Sequence, residues 1–330
     1  MHILKRTYLS RLLAGTAIAV LCAPSLATAY DAGAASAAAA GAACDDARPF
    51  YWEIGGVSGS PIVSGQVGGT TYGRTTTVGI ASASKFIFGA YVVERYGGIP
   101  GGASGAEMVK ALNMKSGYTS FNPVLCVLTT KVSTCFTIGS NDVYDSDADG
   151  EFVYGGGHAQ YISADSGLLN LGNKTKTTLM TEINSQLGLG SSFAFNTPGL
   201  AGGMEANAAD YATFLQNVMN GTYELSNYLG YGAVATTPCA EGLEGCSPFG
   251  DVDVHYSLHH WVEDDSGGEL PNGADLNPGD GSFSSAGANG FYPWISADQA
   301  YYGIISRQAT GGALDSVVCG RAIREAFLEE

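Results

Sequence analysis

Ile80-Ala81-Ser82-Ala83-Ser84-Lys85-Phe86 opens the stretch on which the reading of this chain turns, and Ile87 to Tyr96, stopped by Gly97-Gly98, completes it. Ala81 to Tyr96 holds no proline and a single glycine, Gly89. Its apolar positions Phe86, Ile87, Ala90, Tyr91 and Val93 suit a largely buried helix. Of the chain's seven lysines, only Lys85 has a serine three residues before it. On a helix that spacing sets both side chains on one face, within reach of each other. A serine hydroxyl is a poor nucleophile until a neighbouring base takes its proton. A lysine becomes that base when burial disfavours its ammonium form, and an apolar helix supplies the burial. The start of a helix also presents free backbone N–H groups to a developing oxyanion. Ser82 and Lys85 are therefore the candidate nucleophile and base.

Working outward, residues 49–80 alternate apolar and small polar positions between glycines, the chemistry of strands and hairpins. Beyond the helix, helical patterns at 104–113, 176–187 and 206–220 are separated by loops rich in Gly and Asn. Strand patterns return at 253–263, 288–296 and 300–308, and a helix from Ala313 to Leu328 closes the chain. Strands at both ends with a helical middle predict an α/β domain completed by the C-terminal part. The α/β part covers about 49–98 and 250–330, and the α-rich part about 99–249, within a single domain over 49–330.

Residues 1–29 read as a secretory signal. Lys5, Arg6 and Arg11 flank an apolar run, Leu12 to Cys22, that is too short to span a bilayer, and Ala27-Thr28-Ala29 follows as a cleavage pattern. Lipoprotein processing at Cys22 would want a small residue where Leu21 stands. Residues 30–48, rich in Ala and Gly, read as a flexible leader or linker. Nothing later is apolar for long enough to span a membrane. The formal charge of −16 excludes nucleic acid as a partner, because its phosphates would be repelled. Besides Cys22 there are six cysteines, an even count that favours disulfides in an exported chain. Of fifteen possible pairings, proximity favours Cys126–Cys135 and Cys239–Cys246, leaving Cys44–Cys319 to tie the two ends together. A metal site is the rival reading, but no C-x-x-C or H-x-x-x-H spacing supports it. The localisation expected is secreted or periplasmic.

Other catalytic signatures are absent: no G-x-S-x-G nucleophile elbow, no H-E-x-x-H, and no G-x-G-x-x-G between a strand and a helix. The stretch around Ser82 instead resembles the first motif of the penicillin-recognising serine hydrolases, most of all their class C β-lactamase and family VIII carboxylesterase branch. Further stretches fall in the family's order. Leu112 to Gly117 resembles its "L-x-x-x-S-G" segment, and Phe152 to His158 the region of its Tyr-x-Asn motif. Leu200 to Met204 with Ala209-Asp210-Tyr211 resembles its "aGG…DyarF" helix, and Ser285-Ala286-Gly287 sits where Lys-Thr-Gly or His-x-Gly is expected.

The resemblance implies a β-lactamase/transpeptidase-like α/β (α+β) fold, an antiparallel sheet flanked by helices plus an α-rich subdomain. It also implies roles: Ser82 forms the acyl-enzyme, Lys85 shuttles its proton, and Tyr154 completes the base system and protonates the leaving group. The oxyanion hole would be the N–H groups of Ser82 and Ala288, with Gly156, His158, Ser285 and Gly287 lining the substrate site. Two departures bear on substrate choice. Gly156 stands where the family has Asn, and Ser285 where it has a cation that helps to hold the penicillin carboxylate. A neutral ester or amide is therefore the expected substrate, small or oligomeric, with no cofactor. A D-alanyl-D-alanine peptidase or β-lactamase is the enzymatic alternative, and a non-catalytic peptide- or glycan-binding module on the same fold is the alternative of another class.

Three other features carry weaker signals. Asp145, Asp147 and Asp149 alternate before Gly150 like the opening of a calcium loop, but position twelve is Gly156 where an EF-hand needs Glu. A looser calcium site is the candidate; a solvated acidic turn is the plain reading. His255, Ser257, His259 and Trp261 fall on one face if 253–263 is a single strand, with no third metal ligand evident. Asn173-Lys174-Thr175 and Asn220-Gly221-Thr222 are glycosylation sequons.

Overall fold

The computed structural model describes residues 30–164 and 168–328, so the signal read at 1–29 lies outside the described residues. The described chain opens with α1 (Ala32–Ala39), β1 (Phe50–Gly56), β2 (Val63–Val67) and the short β3 (Val78–Gly79). A run of helices follows: α2 (Ser84–Tyr96), α3 (Gly102–Leu112), α4 (Val132–Thr137), α5 (Gly157–Ala164) and α6 (Lys176–Leu187). Next come β4 (Ala194–Phe195), β5 (Met204–Ala206), α7 (Ala208–Met219) and β6 (Val234–Ala235). Then β7 (His255–Ser257), β8 (His260–Glu263), β9 (Gly268–Glu269) and β10 (Asp275–Leu276) lead to β11 (Ser282–Ser284) and β12 (Tyr292–Ile295). Strand β13 (Tyr301–Ser306) and helix α8 (Ala313–Leu328) finish the domain.

The main sheet has eight strands in the order β2-β1-β13-β12-β11-β8-β7-β6, all paired antiparallel. Strand β1 pairs with β13, so segments from the two ends of the chain share one sheet, as the strand–helix–strand pattern predicts. Successive residues of a strand point to opposite faces. Accordingly Ile304 joins the core built on α2, α6 and α7, while Ile305 joins the core built on α1 and α8. A small sheet, β3-β5-β4, lies beside the start of α2. No helix among the described residues is long and apolar enough to cross a membrane.

All three expected disulfides are formed: Cys44–Cys319, Cys126–Cys135 and Cys239–Cys246. Two expectations change. Residues 30–48 are not a flexible leader: Asp31 caps α1, its carboxylate accepting from the N–H groups of Gly33 and Ala34 at 2.7 and 2.8 Å. Ala35 and Ala39 are buried in the core shared with α8, and Cys44 is bonded to it. Alanine is the best helix former, and its small side chain lets two helices approach closely. Residues 253–263 are not one strand either. Leu258 and His259 have φ of 39° and 69° and form the two-residue turn between β7 and β8. His255 pairs instead with Asp264 at 2.9 Å, and His259 packs beneath α2 against Phe88. Gly89 is required there, since a Cβ would collide with the Leu258 carbonyl.

Candidate active site

Ser82 sits on a short turn leading into α2. The residue before it, Ala81, has φ of 44°, a left-handed conformation that a side chain disfavours. Several bonds hold the turn. The Ser84 hydroxyl donates to the Ala81 carbonyl at 2.6 Å and accepts from the Met204 N–H at 3.2 Å. Ile80 N–H donates to the Met204 carbonyl at 3.0 Å, and the Tyr211 hydroxyl to the Ala83 carbonyl at 2.8 Å. The Leu200–Met204 and Ala209–Tyr211 stretches thus position the turn that carries Ser82.

Lys85 lies on the first turn of α2 with Nζ 3.0 Å from Ser82 Oγ, and it donates to the Ala201 carbonyl at 3.0 Å. The side chain is buried, and among the described residues no carboxylate pairs with it. Burial alone pushes its pKa down to about 7, so near neutrality much of it is free amine.

Tyr154 completes the cluster. Lys85 Nζ stands 4.6 Å from the centre of its ring, and Tyr154 lines the same cavity as Ser82. Trp261 stacks on the ring at 5.0 Å. Burial raises the phenol to about 12 against the smaller opposing effects of the Ser82 and Trp261 side chains, so it stays protonated. The Tyr154 N–H donates to the Cys246 carbonyl at 2.8 Å, so the Cys239–Cys246 staple fixes the backbone here. His158, expected to line the substrate site, is fully buried behind it. Ser116 N–H donates to His158 Nδ1 at 3.2 Å, which leaves Nε2 to carry the proton and donate to the Val153 carbonyl at 2.8 Å. Burial holds its pKa down to about 4, and its place is to position the residue beside Tyr154.

The third segment runs past Ser82. The N–H groups of Ser285 and Gly287 donate to the carbonyls of Pro293 and Phe291 at 3.2 and 2.8 Å. Ala288, at the turn that follows, lines the cavity that holds Ser82. Ser285 and Gly287 do not reach that cavity. Ser285 is buried, and its hydroxyl donates to the Ser82 carbonyl at 3.0 Å. Gly287 lies against the Ile80 carbonyl, where a Cβ would not fit. Both hold the third segment to the turn that carries Ser82.

The cavity measures about 590 Å³, within the usual range for small-molecule sites. Ser82, Lys85, Tyr154, Gly156 and Ala288 share it with Phe121. Among the described residues its lining includes no Asp, Glu, Arg or His, and Lys85 is the one ionisable cation there. At Gly156 a Cβ would stand 2.7 Å from the Phe121 ring, so an aromatic wall fills the place where the resembling family carries an amide. Two of the three aspartates of the calcium candidate have protein partners. Asp149 pairs with Lys110 at 2.5 Å, Asp145 accepts from the Asp147 N–H at 3.0 Å, and no metal-type cluster of three such side chains occurs among the described residues.

Of the residues named from sequence, Ser82, Lys85, Tyr154, Gly156 and Ala288 come together. Trp261, Phe121 and Tyr211 were missed as site residues. Tyr211 lay inside a quoted motif and could have been weighed; Phe121 lies in an irregular stretch with no periodic signal.

Comparison with solved structures agrees with the fold. The chain is similar to EstCE1, described as a hydrolase with promiscuous acyltransferase activity (TM-score 0.58, 12% identity, covering 90% of this chain and 98% of that one). It is similar to a D-stereospecific amidohydrolase from Streptomyces sp. (TM-score 0.55, 15% identity, 90% and 98% covered). It is also similar to a penicillin binding protein from Bacillus halodurans (TM-score 0.54, 12% identity, 83% and 95% covered). The chain therefore has the fold of the penicillin-recognising serine hydrolases. No family model matches the sequence, and no curated protein matches it.

Proposed function

We propose that this chain is a serine hydrolase that cleaves an uncharged ester or amide through an acyl-enzyme on Ser82. The observation that carries the reading is Lys85: a buried amine without a counter-ion, 3.0 Å from a serine hydroxyl at the floor of a cavity. In the first step the neutral amine takes the Ser82 proton while Oγ bonds to the substrate carbonyl carbon. The carbonyl electrons move onto oxygen, held by the N–H groups of Ser82 and Ala288. The tetrahedral adduct collapses and expels the alcohol or amine, which takes the Tyr154 proton. Lys85 then returns its proton to Tyr154. Water repeats the sequence on the acyl-enzyme, releasing the acid and free Ser82.

Absence of a second cation in the cavity lining favours a neutral substrate over a β-lactam or a peptide carboxylate. Three disulfides fit an oxidising compartment, in line with the signal read at the N-terminal end. The test is labelling of the purified protein with a fluorophosphonate, beside Ser82→Ala and a fluorescent penicillin. Labelling lost in Ser82→Ala, with no penicillin adduct, is expected. A stable penicillin adduct on Ser82 would move the protein to the penicillin-binding side. An unlabelled, folded wild type would leave a binding module as the better account.

A further inference from the structure

The three most exposed large apolar side chains of the described residues fall within five positions of one another: Val124 at 71%, Val127 at 68% and Leu128 at 77%. They sit on one short 3₁₀ turn, Pro123–Leu128, at the mouth of the Ser82 cavity. Val124 and Val127 are lining residues of that cavity as well as surface residues. In a 3₁₀ turn residues three apart eclipse, so these two valines form one stripe.

The turn is held rigidly from behind. Asn122 accepts from the Val124 N–H at 3.0 Å, and its own N–H donates to the Asn141 side chain at 2.7 Å. Asn141 is buried and donates to the Cys135 carbonyl at 2.9 Å, and the Cys126–Cys135 disulfide closes the loop. An apolar stripe kept exposed on an anchored turn is preorganised for contact with something apolar. Inside the cavity Phe121 continues the same surface, occupying the space beside Gly156. An apolar path therefore runs from Ser82 along Phe121, Val124 and Val127 out to Leu128.

We propose that this path is the specificity determinant of the site, and that the substrate is an uncharged ester with an apolar alkyl chain long enough to lie along the rim. This inference rests on the Ser82 hydrolase reading and names its substrate class. Polar groups at the cavity are largely engaged elsewhere: Asn289 donates to the Gly79 carbonyl at 3.0 Å, and Asn196 to Glu205 at 2.9 Å. They offer a polar chain few free partners, whereas each carbon laid on the rim covers exposed apolar surface.

The experiment compares wild type with the triple variant Val124→Ser, Val127→Ser, Leu128→Ser. Two substrate series are used, p-nitrophenyl alkanoates and alkyl acetates of increasing chain length, so that a chain on either side of the bond is read. In parallel, the rate of Ser82 modification by short- and long-alkyl fluorophosphonates is followed by intact mass. Wild-type kcat/KM is expected to rise with chain length in at least one series. The variant's loss relative to wild type should grow with chain length, least on the shortest esters and about tenfold or more greater on the longest. Long-alkyl labelling should slow alongside it. Val57→Ser, an exposed apolar position on another part of the surface, serves as a control and should change nothing. A flat chain-length profile in both series, with Ser82 still labelled, would overturn the rim while leaving the hydrolase reading intact. So would a triple variant that loses short and long esters equally. No labelling of Ser82 by either reagent would overturn the hydrolase reading, and the rim with it.

Discussion

Lys85 on α2 and the pair Arg321 and Arg324 on α8 are all buried cations, on helices that pack into different cores of the same sheet, and they differ in their company. Arg321 binds Glu263 at 3.0 Å and Asp265 at 2.6 Å; Arg324 binds Glu263 at 2.8 Å and Asp280 at 2.8 Å. Glu263 also accepts from the hydroxyls of Tyr292 and Ser284. Burial by itself would raise the Glu263 carboxyl, yet the two guanidinium groups override it and hold the pKa at about 2. Lys85 has only a hydroxyl and a carbonyl, and burial moves it toward neutrality. A buried cation that is paired keeps its proton and acts as a strut; one buried without a carboxylate gives the proton up near pH 7 and can accept another from a nucleophile.

The comparison breaks most sharply at Lys85. Lys85→Met should lower hydrolysis and Ser82 labelling by about 10³-fold or more, while the fold holds. Its stability should also lose a pH dependence. Wild-type Lys85 titrates near 7 when folded and near 10.5 when unfolded, so in that window the unfolded chain binds more protons. Wild type therefore gains stability as pH rises from 7 towards 10.5, by about 5 kcal/mol at most. Denaturant titrations at pH 7 and 9.5 should show this gain in wild type and not in the methionine variant. The same group should set an acid limb near pH 7 in kcat/KM.

Glu263→Gln should do the reverse: about 3–5 kcal/mol less stable by denaturation, with activity per folded molecule kept. The Glu263 contribution is present above about pH 4.5 and is lost as pH falls toward 2, because the unfolded carboxylate takes up its proton first. A Glu263→Gln protein that is inactive though folded would erase the division between strut and base. Tyr154→Phe should cost about 10²-fold in kcat with little change in KM, since the phenol acts on the leaving group. The smallest effect is expected at Ser285→Ala. Loss of one neutral hydrogen bond to the Ser82 carbonyl should slow turnover severalfold, by about 1 kcal/mol. A larger fall confined to anionic substrates would return Ser285 to the role that the family resemblance implied.

Much of this was legible in the chain because it depends on local spacing. The reach of Lys85 to Ser82 follows from three residues on a helix, and the bounds of α6 and α8 match the predicted 176–187 and 313–328. The cysteine pairs at separations of 9 and 7 needed only proximity, and the third followed from the count. Errors fell where a distant partner decides. The Ala-rich stretch around α1 reads as a linker until α8 covers it, and for His158 substrate contact and a hydrogen-bonded structural place read equally well until Ser116 and Val153 claim its ring. Histidines 255 and 259 seemed to share a face because nothing local signals that Leu258 and His259 turn the chain.

The sequence by itself determined the reach of Lys85 to Ser82, the alternation of strand and helix, and the covalent staples, all of which are encoded in short-range periodicity, count and composition. The tertiary structure alone decided that Lys85 is buried without a carboxylate while Arg321 and Arg324 are paired, that Trp261 and Cys246 hold Tyr154, and that Phe121 fills the space beside Gly156. Each of those depends on which side chains from remote parts of the chain exclude water from a given group, and desolvation is a property of the packed molecule, with no counterpart in a local run of residues.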